Sequence, residues 1–537
     1  FFWSQEFWPQ SSANPVNTIT MPSELERAGN FSQTVDVNNR QIVVRDPLTQ
    51  QPFAGNIVPA DRINANGQAL LRLLPAPNFF DRAISGGQYN YVNQNSTDRP
   101  QQLSTMRIDY NATSNDLIAV TWSRQEDKQT GAQGLATPNA NWPAISRTFV
   151  TRGNILSGRY QKILSPTLVN ELTLGYNWRW ETELFPESEL EKFQKATVGF
   201  NTAQLFPSAN PLNLIPNISF GGIPNVANIT LPNVQILTRY PTYILTNNIT
   251  KTFAKHIVKA GIFYNRPGVT GQAPAQRGSY SFATDVNNPF ETGYTYANAL
   301  LGVYNNTSQQ SRPVIPSTVQ KAFEWFVQDS WKVTRRLTVE AGMRFIWSPP
   351  AYTNLPSGMF SPAAFDRNAM PQLIRPVLQG GRRVGQDPRT GTIYPAVAIG
   401  ALAPGSGNFA NGIILNTQAG VPKGLIDGFG IVLSPRVGFA WDVFGNGATA
   451  LRGGFGIFQS AGANGEGMAG SQSIYPLVTT SQLFYGQLSG LASAPQLIFP
   501  SGVSTRQDPM GIARSYNVNF GIQQKVGFAT VVDVAFV

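Results

Sequence analysis

The sequence predicts an all-β fold, an antiparallel transmembrane β-barrel with long extracellular loops. Three observations carry this. Apolar and polar residues alternate with a period of two, the alternating segments are joined in pairs by short turns, and the pairs are separated by much longer connections. Short periplasmic turns, long outer loops and strands of about ten residues are the pattern of a barrel that crosses a membrane.

The chain opens with Phe1–Trp8, which reads as a strand. Paired strands follow at 103–111/116–126, 148–162/167–182, 243–253/256–266, 319–332/336–347, 436–444/448–458 and 515–525/528–536. The alternation is clearest over Leu337–Trp347. Leu337, Val339, Ala341, Met343, Phe345 and Trp347 share one face, and Thr338, Glu340, Gly342 and Arg344 share the other. Likewise Val437, Phe439, Trp441 and Val443 oppose Gly438, Ala440 and Asp442, and Tyr516, Val518, Phe520 and Ile522 oppose Asn517, Asn519 and Gly521. Trp178, Trp331 and Trp347 stand near strand ends, where an interfacial girdle places aromatic rings. Gly445-Asn446-Gly447 supplies a hairpin turn.

The long connections have their own composition. Residues 9–102 read as a long extracellular insertion, with Pro52, Pro59, Pro75 and Pro77 as breakers and one helical candidate at Asn66–Leu74. Two further extracellular loops are expected at 348–435 and 459–514, and the stretches 391–422 and 467–505 hold no charged residue. Ala297–Gly302 fits either a helical turn or an extra strand. Residues 1–537 are thus expected to form a single, partial barrel domain. Thirteen strands, or a few more, are visible, whereas closed antiparallel barrels normally have an even number, so strands are expected to be missing at one or both ends.

Composition narrows the chemistry. Charged residues make up 13% of the chain, about half the usual share of roughly 25%. There is no Cys and only one His, so thiolate clusters and mechanisms needing two imidazoles are excluded. The net charge of +10 is scattered, with Arg335-Arg336 and Arg382-Arg383 the densest groupings, which speaks for a solvated surface rather than a nucleic-acid partner. Asp109, Asn111, Asn115 and Asp116 crowd one turn without the spacing of a calcium loop, and turn chemistry accounts for them. His256 is expected as a solvated residue beside a tight turn. No nucleophile elbow, phosphate-binding lysine loop or zinc-protease helix occurs. The glycine-rich Gly462–Gly467 is followed by no helical pattern that would make it a phosphate cradle. No catalytic residue, metal ligand or cofactor is therefore assigned, and an enzyme is not expected.

Two sets of candidate binding residues remain. Lys259, Glu340, Arg344 and Arg452 fall on the polar parity and are expected to face the lumen, where charge is tolerated. Trp142, Tyr394, Phe409, Tyr475, Phe484 and Tyr485 lie in long connections, where rings stack on a solute or pack loop against loop.

Several segments resemble one family. Arg45-Asp46-Pro47-Leu48, Phe53–Pro59 and Arg62-Ile63-Asn64 are similar to an extracellular insertion of Oar-like TonB-dependent receptors, outer-membrane proteins common in Acidobacteria and related Gram-negative bacteria. Met106–Tyr110, Ser165–Glu171, Ala297–Gly302, Val327–Thr334 with Leu337, and Arg452–Gly456 extend the resemblance in order along the chain. It implies a barrel of about 22 strands, a plug domain upstream, and energy delivered through a TonB complex. Neither the plug nor the closing C-terminal strands appear in this sequence. The implied role is the barrel portion of an outer-membrane receptor and transporter. Its loops would bind an oligosaccharide, a peptide or a metal chelate and pass it through a plug-gated lumen. The alternatives are a non-transporting surface barrel acting in adhesion or carbohydrate binding, and a secreted β-rich carbohydrate-binding protein. The expected surroundings are outer-membrane lipid.

The facing assignment is testable. Val339→Lys or Met343→Lys should prevent assembly in the membrane, because a cation at the bilayer midplane costs about 2–4 kcal/mol. Thr338→Lys should assemble normally. Heat-modifiable migration of the three variants from outer-membrane fractions reads the difference, and equal assembly refutes the assignment.

Overall fold

A computed structural model describes residues 1–131, 146–231, 236–460, 471–493, 496–506 and 512–537. Thirteen strands follow one another in a single hydrogen-bonded path. They are β1 (Phe2–Trp8), β2 (Gln101–Asn111), β3 (Asp116–Gly131), β4 (Arg147–Ser165), β5 (Leu168–Leu184), β6 (Leu237–Phe253) and β7 (His256–Gly271). The path continues through β8 (Ala322–Lys332), β9 (Leu337–Trp347), β10 (Ile431–Asp442), β11 (Thr449–Ser460), β12 (Ala513–Gly527) and β13 (Thr530–Phe536). Every neighbouring pair on this path is antiparallel. All thirteen coincide with the segments read from the alternation, most of them longer by a few residues. β4 reaches 19 residues, about 60 Å at the usual rise, twice the roughly 30 Å of a hydrocarbon layer. A tilted strand crosses such a layer in about 9–11 residues, so β4 is longer than a crossing requires.

The register separates two kinds of row. Lys259, Gln328, Gly342, Arg436, Gly456 and Asn517 lie side by side across β7 to β12. The adjacent row, on the other face, is Val258, Asp329, Ala341, Val437, Phe455 and Val518. Large apolar side chains of this second kind are exposed: Leu174 by 51%, Val437 by 50% and Phe520 by 50%. They do not meet in a dry centre. Their rings cluster toward the ends of the band, with Tyr176 stacked on Tyr243 at 4.8 Å and Trp325 on Phe345 at 5.3 Å.

Turns close one end of the sheet. The longest of them, after Asp442, is wider than Gly445–Gly447 alone. The Asp442 carboxylate accepts from Gly445 N at 2.9 Å and Gly447 N at 3.0 Å, and both glycines have positive φ, so the strands stop at Asp442 and resume at Thr449.

The long connections pack against one another. They fold together into a cap with the largest buried apolar cluster among the described residues. Phe31 and Leu70 come from the first insertion, Phe200 and Ile215 from the connection after β5, and Phe282, Tyr296 and Leu300 from that after β7; all are 0% exposed. A small sheet runs through the cap, with Asn217–Ser219 parallel to Ser279–Ser281, and Val303–Gln310 between Ser279–Ser281 and Thr480–Gln487. The helical candidate of the first insertion forms at Ala65–Leu73, with the Asn64 carboxamide accepting from Asn66 N and Gly67 N. Ala297–Gly302 resolves toward helix, at Thr295–Leu300. These two helices touch at Gly67, where a Cβ would come within 1.7 Å of the Ala299 carbonyl oxygen. Sequence windows did not show the cap because its contacts are remote, as in Tyr296 Oη donating to the Thr20 carbonyl at 2.6 Å.

Gly67→Ala should therefore push the two helices apart and destabilise the cap by about 1–3 kcal/mol, the usual cost of overpacking. The strand wall should be unaffected. Limited proteolysis should cut the connections of the variant sooner, while heat-modifiable migration stays unchanged.

Candidate functional site

The polar face of β8 to β12 borders a hollow of about 660 Å³. Thr338, Glu340, Arg344, Arg436, Asn517 and Asn519 line it, together with Gly342, Gly438, Gly454 and Gly456. The glycines make the room. A Cβ on Gly342 would sit 2.9 Å from the Gln328 Cβ, and one on Gly456 would sit 2.9 Å from the Phe458 ring. Arg344 pairs with Glu324 on β8 and lies 6.0 Å from the Phe326 ring. Arg436 lies 4.4 Å over Phe458. Both guanidiniums are thus held by planar partners, an arrangement that fixes their direction. Glu340 is exposed and has no ion pair among the described residues. The wall thus offers cations, a carboxylate and amides in one hollow, groups able to hydrogen-bond a polar molecule.

Of the four residues read as lumen-facing, Glu340 and Arg344 line this hollow. Lys259, beside Gln328, and Arg452, beside Gly521, lie on the same face of the sheet but outside its lining. Arg436, Asn517 and Asn519 also line the hollow and are not among the expected site residues, although the alternation puts Asn517 and Asn519 on the polar parity.

The candidates in the connections separate. Tyr485 is buried in the cap, with its hydroxyl donating to Asp285 at 2.9 Å. Phe484 meets Phe499 edge-on at 5.7 Å, and Tyr394 packs on the same small cluster. These three rings serve loop packing. Phe409 and Tyr475 are half-buried and face each other at 6.1 Å, which leaves part of each ring open. Trp142 lies outside the described residues.

Two other expectations change or take definite form. His256 is not a solvated turn residue. Its ring stacks on Phe253 at 5.6 Å and on Trp331 at 5.5 Å, and Nδ1 meets Asp329 Oδ2 at 2.6 Å. Asp329 shares the apolar parity of Val327 and Trp331, a sequence signal that could have exposed the pair. The crowded acidic turn is spent on local bonds: Asp109 pairs with Arg107, and Asp116 accepts from Thr113, Tyr160 and Lys162. Among the described residues no group of acidic or imidazole side chains could hold a metal ion.

The segments of the first insertion have structural work. Arg62 grips Asp46 with two bonds, of 2.9 and 2.8 Å, and this holds the Asp46 carboxyl below its ordinary pKa. Buried Asn56 accepts from Val44 N and donates to the Phe31 and Ile42 carbonyls. Arg277, in the cap, donates to the Leu231 carbonyl, and burial lowers its pKa to about 10.

The family model described as outer membrane beta barrel domain matches residues 1–537. The chain belongs to the outer-membrane β-barrel family. It is an outer-membrane protein, its exposed apolar rows face lipid, and the opposite face is the interior of the wall. No curated protein matches it in sequence. Among solved structures it is similar to the outer-membrane transporter YddB from Escherichia coli, at 10% identity and a TM-score of 0.42 over 82% of this chain and 40% of that one. It is also similar to the ferric-catecholate import receptor Fiu from Escherichia coli K12, at 9% identity and a TM-score of 0.37 over 83% of this chain and 53% of that one. The chain spans about half the length of these proteins.

Arg344→Met should leave the Glu324 carboxylate unpaired on the interior face and lower stability by about 1–3 kcal/mol. Arg344→Lys should recover part of the loss. Urea unfolding in detergent micelles, followed by tryptophan fluorescence, measures both.

Proposed function

We propose that this chain forms the wall and the extracellular cap of an Oar-like TonB-dependent receptor that imports a polar solute. The observation that carries the proposal is the hollow on the interior face, where Glu340, Arg344, Arg436, Asn517 and Asn519 converge in a wall whose other face meets lipid. The resemblance of the first insertion and of Val327–Thr334 to that receptor type supports the subtype. In this proposal the connections 9–102, 348–435 and 459–514 stand on the cell surface of a Gram-negative bacterium and capture the solute. The solute then passes along the polar face, gated by a plug and driven through a TonB complex. An oligosaccharide, a peptide or a metal chelate each suits a lining of charges and amides. No residue is assigned a catalytic step.

Topology and transport are tested together in cells producing the full-length protein. A protease-cleavable tag at Gly380-Gly381, an open turn with no atom near either Cβ position, should be cut on intact cells, as should one at Gly400. Insertion near residue 480 is unsuitable, because Thr480 begins a strand of the cap sheet. Uptake of labelled maltodextrin, a labelled peptide mixture and radioactive ferric citrate should then reveal one solute class whose entry requires this protein and stops with a protonophore. Protection of both tags overturns the orientation. Surface-exposed tags with no uptake of any class, together with retained adhesion to polymer, establish the adhesive alternative instead.

A further inference from the structure

The turn end of the wall carries positive charge without matching acid. Lys251, on the lipid-facing parity of β6, donates to Thr167 Oγ1 at 2.8 Å, and Lys255 lies in the turn between β6 and β7. Arg335 and Arg336 lie in the turn between β8 and β9. Lys255, Arg335 and Arg336 are exposed, and none of the four forms an ion pair with a carboxylate among the described residues. Of the acids nearby, Glu340 is on the interior face of β9, away from the lipid-facing side, and two others are engaged. Asp329 holds His256, and Asp442 holds two backbone amides of its own turn. On the neighbouring hairpins Asp109, Asp116 and Glu171 are each paired, with Arg107, Lys162 and Arg159. Lys525, at the β12–β13 end, also lacks an ion pair but has Asp533 on the facing strand, so the surplus is densest on the arc from β6 to β9.

That arc adjoins the edge of the lipid-facing band. Phe253, His256 and Trp331 form a stack of three rings there, with Trp441 exposed two strands further along the sheet. Rings that are apolar on their faces and polar at one edge settle at the depth of lipid headgroups. Cations one turn beyond such rings stand at the level of the phosphates, where an anionic surface attracts each of them.

We propose that Lys251, Lys255, Arg335 and Arg336 form a docking collar for anionic phospholipid headgroups in the leaflet at the turn end. The aromatic stack seats the acyl chain and glycerol region, and the four cations hold the phosphate and its net negative charge. The collar is independent of the transport proposal, since it depends only on the lipid-facing wall and its turns.

The test uses the full-length protein in detergent micelles doped equally with phosphatidylglycerol and phosphatidylcholine, with retained lipid counted by native mass spectrometry. The wild type should retain phosphatidylglycerol preferentially, and the combined variant Lys251→Gln, Lys255→Gln, Arg335→Gln should lose most of that preference, about fivefold per cation removed. The charge-keeping variant Lys251→Arg, Lys255→Arg, Arg335→Lys should retain it. Removing the same charge from the exposed cap hairpin, through Arg375→Gln, Arg382→Gln and Arg383→Gln, should leave it unchanged. If the combined neutral variant loses heat-modifiable migration, Lys255→Gln alone carries the test, since its ammonium meets only the Val333 carbonyl, at 3.4 Å. Equal retention of the two lipids by the wild type overturns the proposal, as does an equal loss in the cap-hairpin variant.

Discussion

A polypeptide in hydrocarbon has no water to satisfy its amides, so each strand must find two neighbours while offering lipid an apolar row. The rest of this structure depends on that constraint. Because the strand period is two, the same backbone that presents Val258, Ala341, Val437 and Val518 to lipid must present Lys259, Gly342, Arg436 and Asn517 to the interior. Interior polarity and exterior oiliness are one fact seen from two sides. A one-residue slip of any strand would exchange them, which is why long stretches of register run without interruption.

The wall consequently has little apolar core, and apolar burial is displaced to the cap. There Phe31, Phe200, Phe282 and Tyr296 are removed from solvent as in an ordinary globular domain. The polar cost of folding long connections is met residue by residue. Asn56 satisfies three backbone groups, Asn64 caps a helix, and Arg62 fixes Asp46. The segments 45–48, 53–59 and 62–64, which carry the resemblance to one receptor type, hold these residues. Their pattern along the sequence reflects the folding of the cap as much as any contact with a solute.

Glycine sets the shape of the hollow. Gly342, Gly438, Gly454 and Gly456 occupy the interior row between longer polar residues, and the space they leave is where Arg344 and Arg436 lie against Phe326 and Phe458. The aromatic partners hold the two guanidiniums in fixed directions along the lining.

The sequence by itself determined the strands, their order, their antiparallel pairing and the face of nearly every strand residue, because a period of two is a local property written in each stretch of ten residues. It also put Lys259, Glu340, Arg344 and Arg452 on one parity, but it could not show that only Glu340 and Arg344 border the hollow, since that depends on curvature and on glycines several strands away. Only the tertiary structure decided that the connections form a cap, that Tyr485 is buried in it, and that His256 is clasped by Asp329 between two rings. Those contacts join residues 73 to 200 positions apart, and no local pattern encodes a partner at such a distance. The wall is legible because its solvent is the membrane, which acts on every strand alike. The cap is not, because its solvent is the rest of the chain.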